Sequence, residues 1–155
     1  MELDDVDRGI LHLLQNDARD TTTAEMAEQV GVSASTVRNR IENLEEEGVI
    51  RGYHPEIDYE RAQYQLHTVV ICHAPVRERP ELVEAAMEVE GVVTVREMLT
   101  GEANVHVEAI GADSENVDRI TEGLTDIGLE IESVNLVKER HVQPFDHFGI
   151  EIVDD

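Results

Sequence analysis

Over the first fifty residues, apolar side chains recur at the three-and-four spacing of helices. Val6, Ile10, Leu13 and Leu14 predict a first helix over about residues 5–17. Asp4, Asp5 and Asp7 lie near its N-terminal end, where the helix dipole favours carboxylates. Thr22 and Glu25 have the spacing of a capping box. The second helix that follows turns Met26, Ala27 and Val30 inward and stops at Gly31. Ser33 is placed to cap a third helix over roughly 34–47, and Gly48 suits the position just past its end. Helix, tight turn, helix is the layout of a helix-turn-helix, in which the second helix of the motif is held rigidly while its outer side enters a DNA groove.

The third helix carries two stripes. Val37, Ile41 and Leu44 are spaced to face a small core, while Thr36, Asn39, Arg40 and Asn43 are spaced to share the outer side. That outer stripe holds no acid until Glu47, and Glu45 and Glu46 cluster near its end. Beyond Gly48, Ile50 and Ile57 are interrupted by Gly52 and Pro55, which predicts a short strand pair, or wing, beside the helices. Residues 58–65 are polar and read as a hinge.

From Leu66 the period changes to that of strands. Residues 66–74 form a β-branched run suited to a buried strand. A helix over 77–90 follows, with Leu82, Ala85, Ala86 and Val89 inward. Residues 92–99 alternate as a strand, 100–104 make a turn, and Val105, Val107 and Ala109 continue as a third strand. A helix over 114–127 presents Val117, Ile120 and Leu124, and a fourth strand covers 130–138. This β-α-β-β-α-β order is the ferredoxin-like split unit. The fold class is therefore α+β: an N-terminal winged helix-turn-helix (1–57), the hinge, and a ferredoxin-like βαββαβ domain (66–140). Residues 141–155 form a tail whose Phe145, Phe148, Ile150 and Ile152 predict packing on the body or on another subunit.

Charge complicates this picture. The 155 residues carry a net charge of −23, whereas DNA binders usually offer a basic face. Lys138 is the single lysine among twelve basic residues, and acid-rich, lysine-poor chains resemble proteins of salt-loving microbes. Salt removes the contradiction, because at ~1 M the Debye length is only about 3 Å and long-range repulsion from phosphates is screened. A binder under those conditions relies on close contacts. Asn and Arg are the side chains able to grip adenine and guanine edges in bidentate fashion. The candidate DNA-binding residues are thus Ser35, Thr36, Asn39, Arg40 and Asn43 toward the major groove, with Arg38 and Arg51 on phosphates and Ser33 at the helix cap. His54 reads as a surface residue. No apolar run reaches the roughly 18 residues of a membrane span, and the acidic start is unlike a secretory signal, so a cytoplasmic chain is expected. The lone cysteine, Cys72, sits in an apolar run and reads as a buried, inert thiol.

Three segments resemble the leucine-responsive regulator/AsnC, or feast/famine, family. They are Leu-Asp-Asp-Val-Asp-Arg-Gly-Ile-Leu-His-Leu-Leu-Gln from Leu3, Leu-Glu-Glu-Glu-Gly-Val-Ile-Arg-Gly-Tyr from Leu44, and Thr-Gly-Glu-Ala-Asn from Thr100. The resemblance covers about residues 2–140. It implies a double-stranded-DNA-binding transcription regulator, not an enzyme, that needs no cofactor. It further implies a homodimer that can stack into tetramers or octamers, with amino-acid effectors bound near the turn after the second strand. On this chain that turn is Thr100, Gly101, Glu102, Ala103 and Asn104. The family often has an aspartate where Asn104 stands, and an amide carries no charge for an ammonium; Glu102 is the acid left to supply it. Ser133 and Asn135, two apart on the fourth strand, point to one side as further effector candidates.

Two other readings use different residues. His67 and His73 share a side of the first strand, His106 lies on the third strand and its predicted neighbour, and His141 and His147 lie in the tail; together they allow a metal-responsive regulator, although no metal-ligand spacing supports one. Siroheme decarboxylases have the same two-domain architecture. Such an enzyme needs basic groups for tetrapyrrole carboxylates, and the second domain offers few: Arg96, Arg119, Lys138, Arg140 and histidines.

Overall fold

Capping side chains start the first three helices. The computed structural model describes residues 1–148, with α1 over Asp5–Asn16, α2 over Thr23–Val30 and α3 over Ala34–Glu46. Asp4 and Asp7 close a capping box on α1, and Thr22 and Glu25 close one on α2. Gly31 ends α2 at φ +74, and Gly48 follows α3 at φ +72, a left-handed backbone that favours glycine at both places. Ile10, Leu11, Leu13, Met26, Ala27, Val37 and Leu44 form the buried core of this bundle, with Val6, Leu14, Val30, Ile41 and Ile50 packed around it. The helical spacing read from the sequence accounts for this core apart from Leu11.

The expected strand pair after Gly48 does not form. Residues 51–58 belong to no strand or helix. Instead, the amides of Val49 and Ile50 both donate to the Leu44 carbonyl, which folds the chain back across the end of α3. Gly52 and Pro55 interrupt the run, and two-strand pairing offers little stability without a third strand or a packed face.

The second unit is a four-stranded antiparallel sheet in the order β2-β3-β1-β4, with β1 over Leu66–His73, β2 over Val92–Glu97, β3 over Val105–Gly111 and β4 over Glu130–Leu136. Helices α4 (Arg79–Met87) and α5 (Ser114–Asp126) complete the βαββαβ order. Alternation along β1 and β3 decides which face is covered. Val70, Cys72, Ala74, Val105, Val107 and Ala109 are buried against Leu82, Ala86, Ile120 and Leu124 of the helices. Buried Thr68 on that face donates its hydroxyl to the Ala109 carbonyl. His67, Val69, Ile71, His73, His106 and Glu108 alternate with these residues and take the opposite face. Burial pushes the Cys72 thiol up to about 11, aided by the negative charge of Glu132, so it stays protonated and unreactive near neutrality.

The chain divides into two compact units. The helical unit comprises residues up to Pro55 together with the chain from His141, and the sheet unit spans Glu56–Arg140. The tail thus belongs to the helical unit. A single 3₁₀ turn, Asp146–Phe148, lies against α1, and Phe148 packs on the helical core. Ile150 and Ile152 of the expected apolar tail lie outside the described residues. Among the described residues, no helix is long and apolar enough to cross a membrane.

Leu44 is fully buried at the centre of the helical unit. Leu44→Ala should cost that unit about 2–5 kcal/mol. Hydrogen exchange should report the loss in the amides of α1–α3, with the strands β1–β4 unchanged.

Candidate nucleic-acid interface

The N-terminus of α3 is built from hydroxyls. Ser33 accepts the Thr36 amide at 3.2 Å, and its Oγ lies 2.8 Å from Thr36 Oγ1 and 3.1 Å from Ser35 Oγ. Ser33 and Ser35 are exposed and Thr36 is half-buried. Arg38, Asn39 and Asn43 are exposed along the outer side of α3, while Val37 and Leu44 are completely buried beneath. The outer side is not free of acid as the sequence pattern suggested. Glu42 stands three positions after Asn39 and Glu46 seven after it, and both are exposed, so helical spacing places them on the same side. Arg51 is exposed beyond α3, as is His54.

Arg40 departs furthest from its expected place. Its Nη1 donates to Asp4 Oδ2 at 2.7 Å and lies 3.2 Å from both carboxylate oxygens of Asp7. Asp7 is 1% exposed. These two acids are themselves interlocked: Asp4 Oδ1 accepts the Asp7 amide at 2.9 Å, and Asp7 Oδ2 accepts the Asp4 amide at 3.1 Å. The guanidinium is therefore directed at the capped end of α1. It joins the first and third helices, and its side chain keeps only a third of its exposure. The hydrogen bond from the Asp7 amide, helped by Arg40, holds the Asp4 carboxyl below the ordinary aspartate value of 3.8. The hydrogen bond to Asp4 in turn raises the Arg40 pKa. Sequence reasoning placed Asp4 and Asp7 only as favourable charges at a helix end, and missed that they receive Arg40.

Near the other end of α3, the Tyr53 hydroxyl donates to Glu45 Oε1 at 2.9 Å. Partial burial, then the carboxylate, pushes this phenol up to about 12.

In the sheet unit the 100–104 turn is tightly pinned. Thr100, Gly101 and Glu102 are exposed, and Gly101 takes φ +89 with open space where a Cβ would stand. The ring of His73 donates from Nδ1 to the Glu102 carbonyl at 2.6 Å, and His106 donates from Nε2 to the Ala103 carbonyl at 3.0 Å. Asn104 is 4% exposed. Its Oδ1 accepts the Ala74 amide at 2.8 Å and its Nδ2 donates to the Ala74 carbonyl at 2.7 Å. This side chain mimics a strand partner for the backbone after β1, and both ends of the amide are taken. The role of Asn104 is thus to shape the turn, with Glu102 left as its exposed acid. Ser133 and Asn135 are exposed and hydrogen-bonded to one another at 3.1 Å. They pair with Ile71 and Val69 across β1, so a whole strand separates them from β3 and the turn that feeds it.

The residues of the two other readings are not gathered. His67 lies 3.4 Å from Glu108, while His73 and His106 are occupied by the turn. The side chain of His147 lies outside the description. Among the described residues, no three histidine, cysteine or acidic side chains are grouped to hold a metal ion. Arg96 is on β2, Arg119 on α5, and Lys138 and Arg140 follow β4. β2 and β4 are opposite edges of the sheet.

Two variants test this geometry. Arg40→Ala strips the buried Asp7 of its cation and should destabilise the helical unit by about 1.5–3 kcal/mol, the range for hydrogen bonds to charged groups. Because Asp4 titrates below its unfolded value, its contribution is complete above about pH 4 and is lost as pH falls through the folded value. Acid unfolding of the helical unit, followed by circular dichroism, should therefore begin at higher pH in Arg40→Ala than in the unmodified chain. Asn104→Leu keeps approximate volume but leaves the Ala74 amide and carbonyl unpaired. It should cost the sheet unit about 2–4 kcal/mol, read by chemical denaturation.

The comparisons agree with this architecture. Residues 3–51 match a model described as winged helix-turn-helix DNA-binding. An uncharacterized HTH-type transcriptional regulator of Pyrococcus horikoshii is 32% identical over 140 residues, covering 90% of this chain and 93% of the relative. The leucine-responsive regulatory protein of Rhizobium meliloti is 32% identical over 143 residues, covering 81% and 90%. Among solved structures, the complex of a Neisseria meningitidis transcriptional regulator with L-Met superposes with a TM-score of 0.74 at 22% identity, covering 94% of this chain and 99% of that one. With its helix-turn-helix joined to a ferredoxin-like sheet and its near-complete match to these relatives, the chain belongs to the Lrp/AsnC family of DNA-binding transcription regulators.

Proposed function

We propose that this regulator reads DNA sequence through the outer side of α3, acts in the cytoplasm as a dimer or higher oligomer, and responds to an amino acid or a related small molecule. The observation that carries the first part is the division of labour along α3. Val37 and Leu44 are buried, Arg40 is tied back to α1, and Ser35, Asn39 and Asn43 face outward. The amide groups of Asn39 and Asn43 suit adenine edges in the major groove. The hydroxyl-lined N-terminus of α3 suits a phosphate, since both the helix dipole and its leading amides favour an anion. Arg38 and Arg51 serve the backbone, which fixes register without reading sequence. Arg40 acts here as a positioning residue.

Pairing of subunits is supported by the face of the sheet opposite α4 and α5, where Val69 and Ile71 lie on the central strand. Two-fold symmetry then places half-sites about one helical turn, or a multiple of it, apart. Amino-acid sensing is supported by the L-Met complex of the related fold and by the exposed Thr100–Gly101–Glu102 segment. Glu102, in place of Asn104, would receive the ligand's ammonium, and Ser133 and Asn135 extend the polar surface on β4. The acid-rich, lysine-poor composition suits a cell interior of high salt.

Binding-site selection from random duplexes in molar KCl tests this reading. A two-fold consensus is the expected result, and recovery of no enriched sequence rejects it. Asn39→Ala should lose about 1–3 kcal/mol at one base position. Arg38→Ala should weaken all sequences alike, and Arg40→Ala should do the same because it acts by seating α3. Since acidic surface must be screened before contact, affinity should change little, or rise, between low and molar KCl; the steep fall of an ordinary basic binder would contradict the electrostatic part.

A further inference from the structure

The chain leaves the helical unit after Pro55 and comes back to it at His141, so that unit is made from two separate stretches of sequence. The returning stretch is held by specific contacts. The Phe145 amide donates to Gln15 Oε1 on α1 at 3.3 Å. Phe145 and Phe148 meet edge-to-face with centroids 5.0 Å apart and planes at 80°. Phe148 is half-buried on the helical core and walls one side of a groove of about 370 Å³, along with Leu11, Leu14, Ala18, Ile50 and Tyr53. The protein has only two phenylalanines, and both are in this stretch. Both phenylalanines thus lie on the returning stretch that packs within the helical unit.

A segment of eight residues, free in solution, pays its full ordering cost on docking and so binds weakly. Covalent attachment changes that, because a tethered segment binds at the effective concentration set by its linker. Here the linker starts at the end of β4, which is extended by one further bond from the Val137 amide to the His67 carbonyl at 2.7 Å. From Leu136 to Phe145 is nine residues, at most about 30 Å of extended chain. On the other side, α1 is fastened to α3 by Arg40.

We propose that residues 141–148 are a leash in cis: docked on α1, they tie the end of β4 to the helix that seats α3, so that the sheet unit controls how firmly α1 and α3 are held. The route is physical and continuous, from β4 through the tail to Phe148, Gln15 and α1, and then through Asp4 and Asp7 to Arg40. It goes beyond DNA reading and effector sensing, and stands whether or not an effector binds at the 100–104 turn.

Hydrogen exchange on the full-length chain tests it without DNA or ligand. Two variants are compared with the unmodified protein in the same molar KCl. In F145A/F148A both aromatic rings are removed and the linker is unchanged. In the second, thirty Gly/Ser residues are inserted between Arg140 and His141, leaving every docking group in place. Exchange in α1 and in the first turns of α3 should rise by on the order of tenfold in F145A/F148A, with β1–β4 unchanged. The insertion lengthens the tether and so lowers the effective concentration, by about tenfold where this linker alone is flexible and by less where the 56–65 segment also moves, so exchange in the same helices should rise by up to that factor. Unchanged exchange in F145A/F148A overturns the proposal, since the tail would then not hold α1 in solution. A rise in F145A/F148A but none with the insertion also overturns it, because docking would then be indifferent to its own tether, as when another copy supplies the tail. Failure to select a DNA consensus would reject the reading of α3 and leave these exchange results to decide the leash.

Discussion

The guanidinium of Arg40, set between Asp4 and Asp7, fixes the one geometric relation on which the helical unit depends. A helix offered to a DNA groove must be rigid with respect to its own domain. A bundle of three short helices has a small core to provide that rigidity. The hydrophobic contacts of Val37 and Leu44 hold α3 at the right distance, but such contacts are non-directional and leave sliding and rotation weakly opposed. An arginine bridging two carboxylates is directional. Because those carboxylates also cap α1, the same bonds fix the start of one helix and the rotation of another. Removing the cation would leave Asp7 buried without its partner, so the clamp is costly to break.

Much of this fold was legible in local pattern. The caps at Thr22 and Ser33, the stops at Gly31 and Gly48 and the switch from helical to strand spacing at Leu66 all rest on interactions within a few residues, and the elements begin and end close to where those signals lie. What was not legible depends on partners far along the chain. Arg40 has the spacing of an outward residue, yet acids thirty-three and thirty-six positions earlier draw it sideways. Asn104 looks like a turn residue with ligand-binding chemistry until Ala74, thirty residues earlier, takes both ends of its amide. The strand pair expected after Gly48 is absent for a different reason: isolated apolar residues around Gly52 and Pro55 have, among the described residues, no partner strand to satisfy them. Glu42 belongs to the outer stripe by its spacing from Asn39, although the pattern of Thr36, Asn39, Arg40 and Asn43 does not include it.

The sheet unit follows the same logic of fixing a loop by directional bonds. His73 and His106 grip successive carbonyls of the turn, and Asn104 stitches the turn's exit to the backbone after β1. Thr100, Gly101 and Glu102 remain exposed, the last of them held through its backbone carbonyl. A turn so held is pre-organised, so a ligand settling on it would lose little affinity to ordering the loop. The two histidines that looked like metal ligands by residue type are, by geometry, the turn's supports.

Charge then decides how the helical unit can work. A chain of net charge −23 gains nothing from long-range attraction to phosphate, and at low salt it is repelled. Once screening removes that repulsion, what remains is contact within a few ångströms, where shape and hydrogen bonding dominate. Close contact tolerates little misplacement. A surface rich in loosely attracted cations can bind while its recognition helix rocks, since Coulomb forces vary slowly with distance. A surface that reads DNA through Asn39, Asn43 and the Ser33 hydroxyl cluster, as proposed, could not. Using Arg40 to hold the helix, instead of reaching toward DNA with it, is therefore consistent with the acidity: where charge does not supply affinity, the value of a cation lies in the rigidity it gives to neutral groups.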